Sequence, residues 1–327
     1  MTSTPELLDL LSAEAPVSGA DLALRLGVSR TAIWKQIEAL RAAGLPVEAQ
    51  AGEGYRLARP LDRLDAAAIR RALPATVRKR LGALEVHWKL DSTSSELLRR
   101  VDDLPDRTFV FAEMQTAGRG RRGRAWVSPP ATNLAFSCFK RFGQGYAALS
   151  GLSLAIGVAA ARALEDRGVQ GVGVKWPNDL VHHGAKLAGI LVELGGEFLG
   201  PCHAVIGVGI NLHLPDEARD AIAQPVTDLD EIGAGAVPAR GKLAATMIEH
   251  LCEALDVFAA SGFAAFASDY ARYDALRGRG LRVDDPRGAF EGVAIGVDAR
   301  GALRVRTPRG EQTVDSAEVS VRATRAA

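Results

Sequence analysis

From Glu113 to Pro129 the chain reads EMQTAGRGRRGRAWVSP, and its densest part, Gly118 to Arg124, alternates glycine with four arginines before Trp126 and Ser128-Pro129. Glycine lets a backbone turn tightly and approach a ligand closely. Arginine offers a rigid fork of donors that matches carboxylate and phosphate. The neighbouring indole adds a flat apolar face. Together these residues predict a loop that wraps a small anionic, nucleotide-like molecule. Two other readings compete. Four clustered arginines also suit a solvated or nucleic-acid-binding patch. The letters GRGRRG match the dinucleotide fingerprint, but that loop must open a helix. Here Trp126, Val127, Ser128, Pro129 and Pro130 follow, and Lys140 stands near the place of the expected acidic ribose ligand. No HRD or DFG segment follows to support a kinase loop.

Working outward, 327 residues are enough for two or three domains with a real core. A hydrophobic content of 47% predicts a soluble globular chain, and a net charge of +1 gives no global case for nucleic acid or membrane. Any electrostatic site must therefore be local. Cys138, Cys202 and Cys252 are few and widely spaced, as in a reducing cytoplasm. No secretory signal pattern is seen at the start. The apolar run Leu149 to Leu164 is too short and too rich in Ser and Gly for a membrane span. His182-His183 next to Gly184 reads as a turn, and no metal-ligand spacing appears.

Residues 5 to 57 read as a separate module. Ser18-Gly-Ala-Asp21 has capping-box character and opens a second helix ending at Gly27, and Ser29 caps a third that Gly44 ends. The short Gly27-Val28 link is the helix-turn-helix pattern. In the third helix Ile33, Ile37 and Leu40 share the core face, which leaves Arg30, Thr31, Trp34 and Lys35 outward. Val47–Gln50 and Tyr55–Leu57 around Gly-Glu-Gly54 form a wing. This predicts a winged helix with its third helix in the major groove; a protein-docking module is the alternative. Residues 1 to 60 hold six basic and seven acidic side chains, a net of −1. One copy should bind DNA weakly, so a homodimer is expected.

After Pro60 the pattern becomes mixed. Leu84–Leu90, Thr108–Met114 and Asn133–Lys140 read as strands, with Asp91-Ser-Thr-Ser-Ser95 as a polar turn capping a helix over Glu96–Val101. A buried helix lies within 145–168. Then comes VGVKWPNDLV (172–181), a turn, and KLAGILVEL (186–194). With a two-residue turn at His183-Gly184, Val181 pairs with Lys186. Asp179 then lies on the same face as Lys186, a diagonal neighbour about 7–8 Å away. A strand from His203 ends in Gly207, Gly209 and Asn211. Residues 213–236, rich in Pro, Asp and Ala, read as a mobile surface segment. Two helices follow over 240–260 and 263–273. From Gly280 short strands and turns predict a β-barrel of about 45 residues, too small for a broad core of its own.

GRGRRGRAWVSP, then KWPNDL, then KLAGILVE resembles biotin–protein ligase, in that order and over nearly the whole chain. The winged helix with its GEGY wing resembles the bifunctional subclass that also represses biotin-synthesis operons. The resemblance implies an α+β chain in three parts: a winged helix over 1–60, a mixed-sheet domain of the biotin/lipoate ligase type over 61–276, and a small SH3-like β-barrel over 277–327. It implies biotin and Mg-ATP as substrates, a biotin carboxyl carrier protein of acetyl-CoA carboxylase and operator DNA as partners, and a cytoplasmic location. It also implies roles. Ser92, Thr93 and Gln115 resemble the groups that bind the ureido ring. Arg119, Gly120 and Arg121 resemble the loop over the carboxylate and phosphate. Lys186 resembles the lysine at that junction, with Asp179 as its companion. Trp126 would cover the adenine, Asn178 and Asn211 stand on the nucleotide side, and Trp88 and Trp176 serve packing. Three positions depart from the family. Ser94 stands where Asn is common, Ala131 where glycine is common, and Trp34 where a polar residue is expected. A lipoate–protein ligase and a non-catalytic biotin-sensing repressor remain as alternatives.

Overall fold

A computed structural model describes residues 4–233, 238–285, 288–315 and 320–323. The first unit packs α1 (Thr4–Asp9), α2 (Gly19–Leu26) and α3 (Arg30–Ala42) with the hairpin β1 (Val47–Gln50) and β2 (Gly54–Leu57). Ser18 and Ser29 cap α2 and α3 by accepting from Asp21 N and Ala32 N, and Gly27 closes α2 at φ 63°. That left-handed turn is where glycine costs least. Leu7, Leu22, Ile33, Ile37, Leu40 and Leu57 form a core of their own. Trp88 and Leu61, from outside the unit, pack against it.

Asp65 caps α4 (Ala66–Ala72), and α5 (Ala75–Arg80) follows. The central unit then runs through β3 (Leu84–Leu90), α6 (Thr93–Leu98), β4 (Thr108–Arg119), β5 (Ala125–Ser128), β6 (Asn133–Phe142), α7 (Leu152–Glu165), β7 (Val172–Lys175), β8 (Asp179–His182), β9 (Ala185–Gly196) and β10 (Cys202–Asn211). The strands lie in the order β3-β4-β6-β10-β9-β8-β7, with β5 folded back on β4. Only β3 and β4 run parallel. Helix α7 is buried nearly all round and lies with α10 (Arg240–Ser261) in the main core. Helices α8 (Asp216–Asp220) and α9 (Leu229–Ile232) precede α10, and α11 (Ala267–Tyr273) follows it. The five strands β11 (Gly280–Asp285), β12 (Gly288–Val297), β13 (Leu303–Thr307), β14 (Gly310–Val314) and β15 (Ser320–Ala323) make an antiparallel sheet ordered β14-β13-β12-β11-β15. The expected small barrel takes this form; among the described residues β14 and β15 do not pair with each other. The sheet leans on the central unit, where Trp176 donates from Nε1 to the Gly301 carbonyl at 3.0 Å. Among the described residues no helix is long and apolar enough to cross a membrane. The three cysteines are unpaired and buried, and burial pushes the Cys252 thiol up to about 11.

The expectation of a mobile segment over 213–236 is corrected for 213–233; residues 234–236 lie outside the described residues. Pro225 and Thr227 bracket the backbone of Lys186: Lys186 N donates to Pro225 O, and Thr227 N donates to Lys186 O, both at 2.9 Å. Asp228 is buried, caps α9 and accepts from Leu214 N at 2.7 Å. Proline and aspartate here supply a strand-like bridge and a cap, not disorder.

Candidate functional site

The arginine stretch is the tip of a β-hairpin instead of a free loop. Gly118 pairs with Trp126 and Arg119 with Ala125, with a 3₁₀ turn over Arg121–Gly123 between them. Gly120 N donates to Arg124 O at 2.7 Å and closes the tip. Arg122 sits at φ 58° and Gly123 at φ 72°. Just beyond, Ala131 holds φ 56°. A β-carbon in the left-handed region costs about 1–2 kcal/mol, which explains glycine as the easier residue there. Ala131→Gly is therefore expected to raise stability by about 0.5–1 kcal/mol once the greater freedom of unfolded glycine is offset. Denaturant unfolding measures this, and a loss of stability would refute the strain.

The β8–β9 turn has two residues, His183 (φ 48°) and Gly184 (φ 86°), as a tight hairpin requires. Val181 pairs with Lys186 as the sequence predicts, and a bulge between Leu180 and Val181 sets Asp179 opposite Gly189. The Lys186 ammonium reaches Asp179 at 2.8 Å, with both side chains about one-fifth exposed. The same ammonium lies 5.9 Å from the Trp126 ring centre. Arg121 approaches from the hairpin and donates to Asn178 Oδ1 at 3.4 Å. Burial lowers the Arg121 pKa, while the charge of Asp179 opposes that shift. Lys186, Asp179, Arg121, Asn178 and Trp126 thus converge on one place.

The other expected residues occupy different surroundings. Arg119 forms a two-pronged pair with Glu193 at 2.8 and 2.7 Å. Asn178, already at the Lys186 cluster, also donates to the Ile190 carbonyl at 2.9 Å. Asn211 donates to the carbonyls of Lys186 (3.4 Å) and Thr227 (3.1 Å), fixing the segment that brackets the lysine. Ser92 is buried and caps α6, which begins at Thr93, earlier than expected. Thr93 donates from N to Gln115 Oε1 at 2.8 Å. Its hydroxyl meets that of Ser137 at 2.7 Å, and Ser94 meets Ser137 at 2.9 Å. Sequence reasoning missed Ser137. The one signal was a lone hydroxyl inside the apolar strand LAFSCF (134–139). This hydroxyl-and-amide cluster can both donate to and accept from a small polar ring. Among the described residues no group of three His, Cys, Asp or Glu side chains could hold a metal ion.

On the first unit, Arg30, Thr31, Trp34 and Lys35 all lie on the exposed face of α3, with Trp34 53% exposed. Glu38 on that side is paired with Arg41 at 2.7 Å.

A second charged centre was also missed. Arg240 and Glu113 pair at 2.6 Å with side chains only 4% and 3% exposed. Glu113 also accepts from Leu64 N at 2.6 Å, and Arg240 donates to the carbonyls of Asp62 (2.7 Å) and Asn133 (2.9 Å). The link from the first unit is thereby fastened to β4 and β6 on either side of the arginine hairpin.

Residues 88–211 match the Biotin/lipoate A/B protein ligase family, residues 6–56 an HTH domain, and residues 278–322 the biotin protein ligase C terminal domain. The Bifunctional ligase/repressor BirA of Salmonella typhimurium is 40% identical over 91% of this chain and 90% of its own length. The protein of that name in Bacillus subtilis is 30% identical over 98% of this chain and 99% of its own. The solved structure of biotin protein ligase from Aquifex aeolicus in complex with biotin and ATP is 26% identical, with a TM-score of 0.64, and covers 74% of this chain and 99% of that one. With relatives this similar spanning the winged helix, the central sheet and the last five strands, the chain belongs to the biotin–protein ligase family, in the form that carries a helix-turn-helix.

Proposed function

We propose that this chain activates biotin with Mg-ATP and transfers it to a lysine of a biotin carboxyl carrier protein. The observation that carries the reading is the Lys186 ammonium held between Asp179 and Trp126, with Arg121 of the hairpin on neighbouring Asn178. In the first step the biotin carboxylate attacks the α-phosphorus, a phosphorus–oxygen bond forms, and pyrophosphate leaves. In the second the amine of the carrier lysine attacks the acyl carbon, an amide forms, AMP leaves and one proton is released. Both nucleophiles come from substrates, so the protein needs no nucleophile of its own. Its task is to align two anions and stabilise charge as it moves. Lys186 and Arg121 face the acyl phosphate, and Asp179 orients the lysine. Ser92, Thr93 and Gln115 receive the ureido ring, with Arg119 and Gly120 over the carboxylate at the other end of biotin. Trp126, Asn178 and Asn211 serve the nucleotide. Magnesium would enter with ATP and would supply positive charge at its phosphates. Such a chain divides into a winged helix over 1–60, a ligase unit over 61–276 and a small β unit over 277–327. Purified chain with biotin, ATP and carrier domain should release pyrophosphate and add one biotin mass to a carrier lysine. Transfer of lipoate without biotin would refute the reading, as would binding without turnover.

The exposed face of α3 supports a second activity, repression through operator DNA by a cytoplasmic homodimer. A module of net charge −1 lacks a broad basic footprint, so one copy binds weakly and two copies carry the affinity. The apolar feature of the major groove is the thymine methyl, and Trp34 suits it. Trp34→Ala should weaken binding to the biotin-synthesis promoter by about 1.5–3 kcal/mol, the scale of burying one large apolar side chain. Lys35→Ala should flatten the logarithmic salt dependence by about one unit per copy. Gel shifts at several salt concentrations read both. Equal promoter affinity in wild type and Trp34→Ala would remove Trp34 from the interface.

A further inference from the structure

Three glycines on three strands surround Trp126, and the ligase reading gives them no task. A methyl group on Gly209 of β10 would stand 2.5 Å from Cζ2 and 2.9 Å from Nε1 of the indole and would overlap Cε2. One on Gly189 of β9 would lie 3.3 Å from Cζ3 of the same ring and 3.2 Å from Nζ of Lys186. One on Gly118, which pairs with Trp126 across the hairpin, would lie 2.6 Å from the Trp126 carbonyl oxygen. None of the three has the positive φ that would by itself call for glycine. Glycine inside a strand weakens it and marks a close approach by something else. At Gly118 the approaching group is the Trp126 backbone, and at Gly209 and Gly189 it is the indole. Its Nε1 is buried without a hydrogen-bond partner, so no polar contact fixes the ring. The shape of the floor does.

We propose that Gly209 and Gly189 are positioning residues: they form a seat that fixes the Trp126 indole against Lys186 and, through it, aims the ammonium for the adenylation step, while Gly118 lets the Trp126 backbone lie close. The proposal rests on the ligase reading. On one side Lys186 meets Asp179, on another the indole; removing the second wall lets the cation drift, and displacements near 1 Å can cost about a hundredfold in rate.

The test is a double-mutant cycle on biotinyl-AMP formation in the full chain. Gly209→Ala is expected to lower kcat at least about tenfold, with Gly189→Ala giving a smaller loss because its contacts are looser. Leucine ends at its δ carbons and reaches none of the ring atoms that a Gly209 methyl strikes. In a Trp126→Leu background Gly209→Ala should therefore cost less than about twofold. Gly207 supplies the control: a methyl there would stand 2.7 Å from Ser94 Oγ, with no Trp126 atom among its nearest neighbours. Gly207→Ala should cost the same factor in both backgrounds. If Gly209→Ala also costs the same factor in both, the seat is refuted while the ligase reading stands. A wild-type chain that forms no biotinyl-AMP overturns both. Should Gly209→Ala fail to fold, circular dichroism of Gly209→Ala in the Trp126→Leu background decides: recovery of the fold supports the seat, and failure to fold in both backgrounds refutes it.

Discussion

Lys186→Met is expected to lower the rate of biotinyl-AMP formation by about 10²–10³-fold, the usual cost of removing one preorganised donor from a transferring centre. Methionine keeps the length and apolar stem of lysine, so the seat beside Trp126 stays filled while the charge is lost. The loss should fall on kcat more than on the apparent affinity for ATP, because the cation is needed most where charge develops on the bridging oxygens. Asp179→Asn should cost less, since it removes the carboxylate that holds the lysine at 2.8 Å and leaves the cation in place. Lys186→Arg should not restore full activity, because a planar fork cannot occupy the site of a compact ammonium. Pyrophosphate release measures the first step and mass gain on the carrier lysine the second. Turnover of Lys186→Met within a few-fold of wild type would end its assigned role.

The second large effect is on stability. Arg240→Met leaves the Glu113 carboxylate buried without its cation, and Glu113→Gln strands the Arg240 guanidinium in the same way. Breaking a buried pair from one side typically costs about 3–5 kcal/mol. For a unit of this size that corresponds to a fall in melting temperature on the order of 10 °C. The double variant Glu113→Gln/Arg240→Met should recover part of the loss, since no charge is then left alone. Calorimetry of the four proteins gives the coupling directly. Single variants within about 1 kcal/mol of wild type would show that the pair is better solvated than its geometry implies.

The contrast between Lys186 and Arg240 shows what a sequence exposes. The lysine could be placed because local chemistry decides it: His183-Gly184 dictates a two-residue turn, the turn dictates register, and register brings Asp179 to the same face. The core face of α3 was legible for a similar reason, since Ile33, Ile37 and Leu40 repeat at helical spacing. Arg240 and Glu113 are 127 positions apart, and no local pattern links them. Ser137 is hidden likewise, because its partners Thr93 and Ser94 come from a helix laid across the sheet. The glycines of β9 and β10 were visible as letters but not as a seat, since what they admit is a ring from the hairpin. Composition misled only at 213–233, where prolines and aspartates bind backbone to backbone.

Each of the four tryptophans stands at a different working part. Trp34 is exposed on α3, Trp88 packs against the core of the first unit, Trp126 lies beside Lys186, and Trp176 ties the central unit to the last sheet. The chain therefore carries its own set of optical reporters. Proteins that keep one indole at a time would let fluorescence follow the exposed face of α3, the first seam, the surroundings of Lys186 and the second seam separately, with no dye attached.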